Sequence, residues 1–222
     1  MTSDLSLAQN VLAYTLLADG VPIVYYGQEQ RFNGASDPTN REALWLGEGG
    51  FDTSSPLYKL VSQLNQIRNQ AIFDNEEYLT YNNWAIYSDT STIAMRKGEA
   101  GSQIVTVLSN LGANGASYTL SLPATDTGFT ANEALVEVLS CSQVTTDGSG
   151  NLAVVMGYGL PKVCSFTAKL ESHVTNYRSA GLLPDGESQG LRCLQYVMSC
   201  RQLRWRTDIS EEEVYSSPRV IE

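Results

Sequence analysis

A single histidine, His173, serves all 222 residues of the chain. A Ser-His-Asp hydrolase would have to be built on that one position, and a histidine-rich metal site is excluded. Cysteine is almost as scarce: Cys141, Cys164, Cys193 and Cys200 form no CxxC pair of the kind that holds zinc. Disulfides stay open, and spacing alone assigns none. Basic residues are outnumbered, with 14 Lys and Arg against 24 Asp and Glu and a net charge of −10. Binding to a nucleic-acid backbone needs clustered cations, so no nucleic-acid partner is expected. The longest apolar run, at 21–26, is far below the ~20 residues that cross a bilayer, and no membrane partner is expected either. Met1 leads almost directly into a helical pattern, without the charged, apolar and small-residue order of a signal peptide.

What is present begins with helical spacing. Leu5, Ala8, Val11, Leu12 and Leu16 recur on one face, and Asp19-Gly20 supplies a stop. The run 21–26 has no polar alternation, which predicts a parallel strand covered on both faces. Ser55 precedes Pro56, a cap followed by a proline at the first helical position, and Leu57, Leu60, Val61, Leu64, Ile67 and Ala71 share one face of the helix that follows. Helix, strand, loop, helix is the repeating unit of a parallel α/β barrel.

From about Tyr78 the period changes to alternation. Segments 84–87, 92–97, 104–110, 118–122, 135–139 and 152–156 read as short strands separated by Gly- and Asn-rich turns, which predicts an antiparallel β-sandwich. Residues 171–222 combine scattered Gly and Pro with the acidic run Glu211-Glu-Glu213, show no sustained period, and are expected to be irregular or disordered. An intron or shifted reading frame is one source for such a tail.

The stretch Gly20-Val-Pro-Ile-Val-Tyr-Tyr-Gly-Gln-Glu-Gln30, followed by Asp37-Pro-Thr-Asn-Arg41, resembles the eighth strand and following loop of α-amylases, (βα)8-barrel glycoside hydrolases of family 13, and of the fungal type above all. Glu42-Ala-Leu-Trp45, Leu57-Tyr-Lys-Leu-Val61, Ile67-Arg-Asn69, Thr92-Ile-Ala-Met-Arg-Lys97 and Gly101-Ser-Gln-Ile-Val105 extend the resemblance from about Leu5 to about Lys169. It implies the last one and a half βα units of a TIM barrel over residues 1–75, a Greek-key β-sandwich domain over 76–170, and a tail over 171–222. In the family a disulfide closes the last domain with one half at the position of Cys141, but the partner's position here holds no cysteine.

The same resemblance places the catalytic groups elsewhere. The nucleophilic Asp, the acid Glu and the transition-state-stabilising Asp belong to the fourth, fifth and seventh barrel strands, so no catalytic residue is transferred. The family's calcium site also lies in that missing part, leaving no cofactor for this chain. Asp37 and Arg41 match loop positions that hydrogen-bond a glucose unit; an Asp–Arg pair that merely stiffens the loop is the plain alternative. Glu29 matches a structural loop residue. The parent would be extracellular and monomeric, cleaving internal α-1,4 bonds of starch or malto-oligosaccharides with retention, while this chain alone would be an inactive C-terminal fragment. Rival readings are a fungal cell-wall α-glucanotransferase and a non-catalytic carbohydrate-binding module. Asp74, Glu76 and Glu77 read as a solvated junction rather than a metal site, and Trp84 and Tyr87 as core aromatics rather than sugar platforms.

Overall fold

The computed structural model describes residues 4–32, 34, 36–38, 40–46 and 51–166. His173, Cys193, Cys200 and the expected tail lie outside the described residues. No helix among those described is long and apolar enough to cross a membrane.

Helix α1 (Leu5–Leu17) starts where Asp4 accepts hydrogen bonds from the amides of Ser6 and Leu7. Leu12, Ala13, Leu16 and Leu17 are buried, whereas Val11, expected on the same face, is exposed. At the other end, the buried Arg68 guanidinium donates to the carbonyls of Leu16, Ala18 and Gly20 at 3.0, 3.4 and 3.1 Å. Those carbonyls have no partner within the helix, so a cation from a neighbouring helix completes the C-terminus. Helix α2 (Pro56–Asp74) supplies Arg68 and buries Leu57, Leu60, Leu64, Ile67 and Ala71 against α1 and the sheet.

The eight strands are β1 (Trp84–Ser88), β2 (Thr92–Lys97), β3 (Ile104–Ser109), β4 (Tyr118–Leu122), β5 (Ala134–Glu137), β6 (Ser142–Thr145), β7 (Leu152–Met156) and β8 (Lys162–Phe166). Six form one sheet in the order β1-β2-β3-β8-β5-β6, and β4 pairs with β7 in a second. Every pairing is antiparallel. Side-chain alternation sorts the large sheet's residues between two cores. Met95, Ile104, Leu108, Val136 and Val163 face the helices. Ala94, Val105, Val107, Leu135, Cys164 and Phe166 face Leu120, Leu122, Leu152, Val154 and Met156 of the small sheet. The result is helices, sheet and sheet in three layers, with β3 buried along its whole length.

Polar side chains lock the layers together. Asn10 of α1 is buried; its Nδ2 donates to Gly159 O at 2.6 Å, and its Oδ1 accepts from Ser109 N at 2.8 Å. The Asp4 carboxylate also accepts from Ala113 N at 2.9 Å. Glu137, buried at the end of β5, accepts from the amides of Leu139, Ser140 and Val163 and from Lys162 Nζ. Those bonds turn the chain, which is why the strand expected to reach residue 139 stops at Glu137.

Three expectations are corrected here. Residues 21–26 form no strand: no ladder partner exists for them among the described residues, and Val21 and Ile23 are 85% and 78% exposed. An apolar run becomes a parallel strand only when neighbours supply both hydrogen-bonding edges. Among the described residues this leaves two packed helices and an unpaired connection in place of closed barrel units. Ser55 does not cap α2 with its side chain; its hydroxyl donates to Glu29 O at 2.7 Å instead. Trp84 is not a core residue, being 56% exposed on an edge strand whose register shifts between Ala85 and Tyr87.

Candidate functional site

The loop between the two long helices carries the densest set of ligand-binding chemistry. It is pinned to the start of α2 by three bonds. Ser55 holds the carbonyl of Glu29, while the Gln30 amide accepts from Asp52 N at 3.1 Å and donates to Asp52 O at 3.3 Å. Glu29 thus enters the structure through its backbone. Gln28 Oε1 accepts from Tyr25 N at 2.8 Å and closes the turn into the loop.

Asp37 and Arg41 come together: Arg41 Nε lies 3.0 Å from Asp37 Oδ1, with both side chains about two-thirds exposed. A pair this wet contributes at most about 1 kcal/mol, so it can exchange partners with a ligand at small cost. The peptide bond between Asp37 and Pro38 is cis.

Beside this pair lies a cavity of about 350 Å³ lined by Tyr25, Tyr26, Gln28, Phe32, Gly34, Asn40 and Glu42. The rings of Tyr25 and Tyr26 are 4.7 Å apart at 38°. Burial and a hydrogen bond with Tyr25 push the Tyr26 hydroxyl above its ordinary value, against the opposing charge of Arg41. Two glycines let lining residues pack close to the backbone. A Cβ on Gly27, whose φ is +86°, would sit 2.6 Å from the Phe32 ring; one on Gly34 would sit 2.5 Å from Asn40 Cα. Sequence reasoning missed this cavity by assigning Tyr25 and Tyr26 to a strand. The usable signal was the grouping of aromatic and amide residues after Val24, with Tyr25, Tyr26 and Phe32 beside Gln28 and Gln30.

The other candidates lie apart from it. Tyr87 donates to Asp89 Oδ2 at 2.7 Å and packs on the inter-sheet core. Asp74 accepts from Gln70 at 2.8 Å, and the Asn75 side chain caps the short turn containing Glu76 and Glu77. No group of three or more His, Cys, Asp or Glu among the described residues could hold a metal ion. The described carboxyls with a shift (Asp4, Asp19, Asp52, Asp89 and Asp147) all move down, each held by hydrogen bonds. A general acid for glycoside cleavage needs the opposite shift. Cys141 is disulfide-bonded, and Cys164 is a buried free thiol.

Comparison with known proteins gives one consistent result. Residues 85–174 match the family described as "Alpha-amylase, domain C". "Alpha-amylase 1" of Lipomyces kononenkoae is 59% identical over 162 residues, which cover 73% of this chain and 25% of the relative. "Alpha-amylase 1" of Schwanniomyces occidentalis is 44% identical over 163 residues, 73% of this chain and 31% of the relative. Among solved structures, an α-amylase from Malbranchea cinnamomea superposes with a TM-score of 0.70 at 46% identity, covering 76% of this chain and 34% of that one. The chain therefore spans about a third or less of these relatives.

Proposed function

We propose that the chain is a C-terminal portion, with domain C, of a fungal-type α-amylase of glycoside hydrolase family 13, and that it forms one wall of a starch-cleaving site. The parent hydrolyses internal α-1,4 bonds of starch and malto-oligosaccharides, with retention, outside the cell. Residues 1–75 complete a (βα)8 barrel in that parent, 76–170 form its β-sandwich domain, and the three catalytic acids are supplied by barrel strands that precede Leu5. The observation that carries this reading is 59% identity sustained over 162 residues to one named α-amylase.

Asp37 and Arg41 hold a glucose unit in this proposal, the carboxylate accepting from sugar hydroxyls and the guanidinium donating to them. Each charged hydrogen bond is worth about 1.5–3 kcal/mol once water is excluded. The exposed Val21 and Ile23 also find a role: in the parent they lie between neighbouring strands, so their apolar surface is covered.

The test is a hybrid. The chain is joined in frame behind the preceding part of the Malbranchea cinnamomea α-amylase and assayed on soluble starch. Release of reducing ends, reduced at least tenfold by Arg41→Ala, supports the proposal. A hybrid that is folded by circular dichroism yet inert overturns it.

A further inference from the structure

We propose that Arg68 and Ser55, toward opposite ends of helix α2, are positioning residues that clamp residues 20–29 and thereby set where the Asp37–Arg41 pair stands. Arg68 does more than close α1. Its Nη2 reaches past the helix to Gly20 O at 3.1 Å, where the connecting segment begins. At the far end of that segment, the Ser55 hydroxyl donates to Glu29 O at 2.7 Å. An α-helix rises ~1.5 Å per residue, so the two anchors stand ~20 Å apart along α2. An extended chain covers ~3.3 Å per residue, so residues 20–25 can reach ~17 Å. The turn that Gln28 closes on Tyr25 N takes up the remainder. The segment therefore lies alongside the helix, held at both ends. Between the anchors, Val24 packs on the helical core, whereas Val21 and Ile23 are exposed.

The clamp bears on the Asp37–Arg41 loop by two routes. Gln30, next to Glu29, bonds the Asp52 backbone in both directions and closes the base of that loop. Tyr25 and Tyr26, inside the clamped segment, line the same cavity as Asn40 and Glu42, the two neighbours of Arg41. Arginine suits the first anchor because its planar fork reaches the carbonyls of Leu16, Ala18 and Gly20 together, which a single ammonium does not. Burial keeps water from competing, with Arg68 only 9% and Ser55 only 6% exposed.

The functional half of this inference rests on the glucose contact proposed for Asp37 and Arg41, and two readouts keep it apart from the clamp itself. Hydrogen exchange on the full 222-residue chain follows the Phe32 amide, which bonds Gly27 O at 2.9 Å, with the β3 amides as reference. Arg68→Ala and Ser55→Ala are each expected to speed Phe32 exchange at least fivefold and to leave β3 unchanged. Arg68→Lys, which keeps the charge but not the fork, should fall between wild type and Arg68→Ala. In the hybrid enzyme, Arg68→Ala and Ser55→Ala should each raise KM for maltoheptaose at least fivefold and leave kcat within twofold, as a lost ground-state contact does. That rise should vanish when Arg41 is already alanine, because anchors that act through Arg41 add nothing once it is gone. Asn10→Leu, which weakens the fold away from the loop, should leave KM unchanged. Unchanged exchange in Ser55→Ala, a variant that deletes a single hydroxyl, overturns the clamp even where Arg68→Ala fails to fold. Faster exchange with unchanged KM overturns the positioning role and leaves the sugar contact standing. A KM rise that persists beside Arg41→Ala, or that Asn10→Leu reproduces, overturns it as well. An inert hybrid counts against the starch reading, while the exchange data still decide the clamp.

Discussion

Lys97, on β2, donates its ammonium to Asp19, just past the end of α1, from a side chain that is 4% exposed. The same ammonium donates to Tyr81 O and lies 5.2 Å from the Tyr78 ring centroid. One cation therefore ties the first helix, the junction turn and the large sheet together. Burial works to raise the Asp19 carboxyl, but hydrogen bonds from Lys97 and Asn83 N and the charges of Lys97 and Arg68 outweigh it and hold it below its ordinary 3.8. Replacing Asp19 with Asn strands a buried ammonium; since Asp19 itself is half exposed, the loss should be about 1–3 kcal/mol. A carboxyl depressed on folding stabilises fully above its unfolded value and loses that contribution as pH falls through the folded one. Urea melts should show a constant gap between wild type and Asp19→Asn from pH 8 to about pH 5, closing below about pH 4. Adding Lys97→Met to Asp19→Asn should recover part of the loss.

Asn10 carries the other link between helix and sheet. Asn10→Leu preserves volume but orphans the buried Ser109 amide and Gly159 carbonyl, each costing about 1–3 kcal/mol. Chemical denaturation should report a loss of at least 2 kcal/mol, while Val11→Ala on the exposed side should change stability by less than about 0.5 kcal/mol.

Cys164 should be inert in the folded chain. Burial, reinforced by the charge of Glu137, pushes its thiol up to about 12, so almost no thiolate exists at pH 8. In a variant with Cys141, Cys193 and Cys200 changed to Ser, labelling with a chromogenic disulfide should therefore follow global unfolding, and its rate should rise in step with urea. Rapid labelling in native buffer would contradict the packing of β8.

Much of this arrangement was legible in the sequence, and the misses share a cause. Strands β2, β4 and β7 fall on the residues expected, β4 and β7 because their buried positions alternate with exposed ones. β6 was missed because Ser142 to Thr145 lie at the edge of the sheet and carry a single apolar residue, Val144. β8 sits between β3 and β5, buried on both sides, so Lys162 to Phe166 show no period. The pairing of Asp37 with Arg41 is compatible with their i, i+4 spacing on one loop, but the cavity beside it depends on how the chain folds Phe32 and Asn40 against Gly27 and Gly34. A string of residues does not display empty space.

The exposed Val21 and Ile23 should govern solubility. Changing both to polar residues, as in Val21→Thr with Ile23→Lys, removes an apolar patch that includes Tyr14, without touching the buried face of either helix. Light scattering of the purified chain should show less self-association in the double variant, with an unchanged melting temperature.

The proposed function is a division of labour in which this chain contacts sugar through Asp37 and Arg41, while the groups that cut the glycosidic bond belong to other parts of the parent. The most direct measurement is reducing-end release from soluble starch by the purified 222-residue chain. No release above a protein-free blank is predicted; sustained turnover by this chain alone would contradict the account.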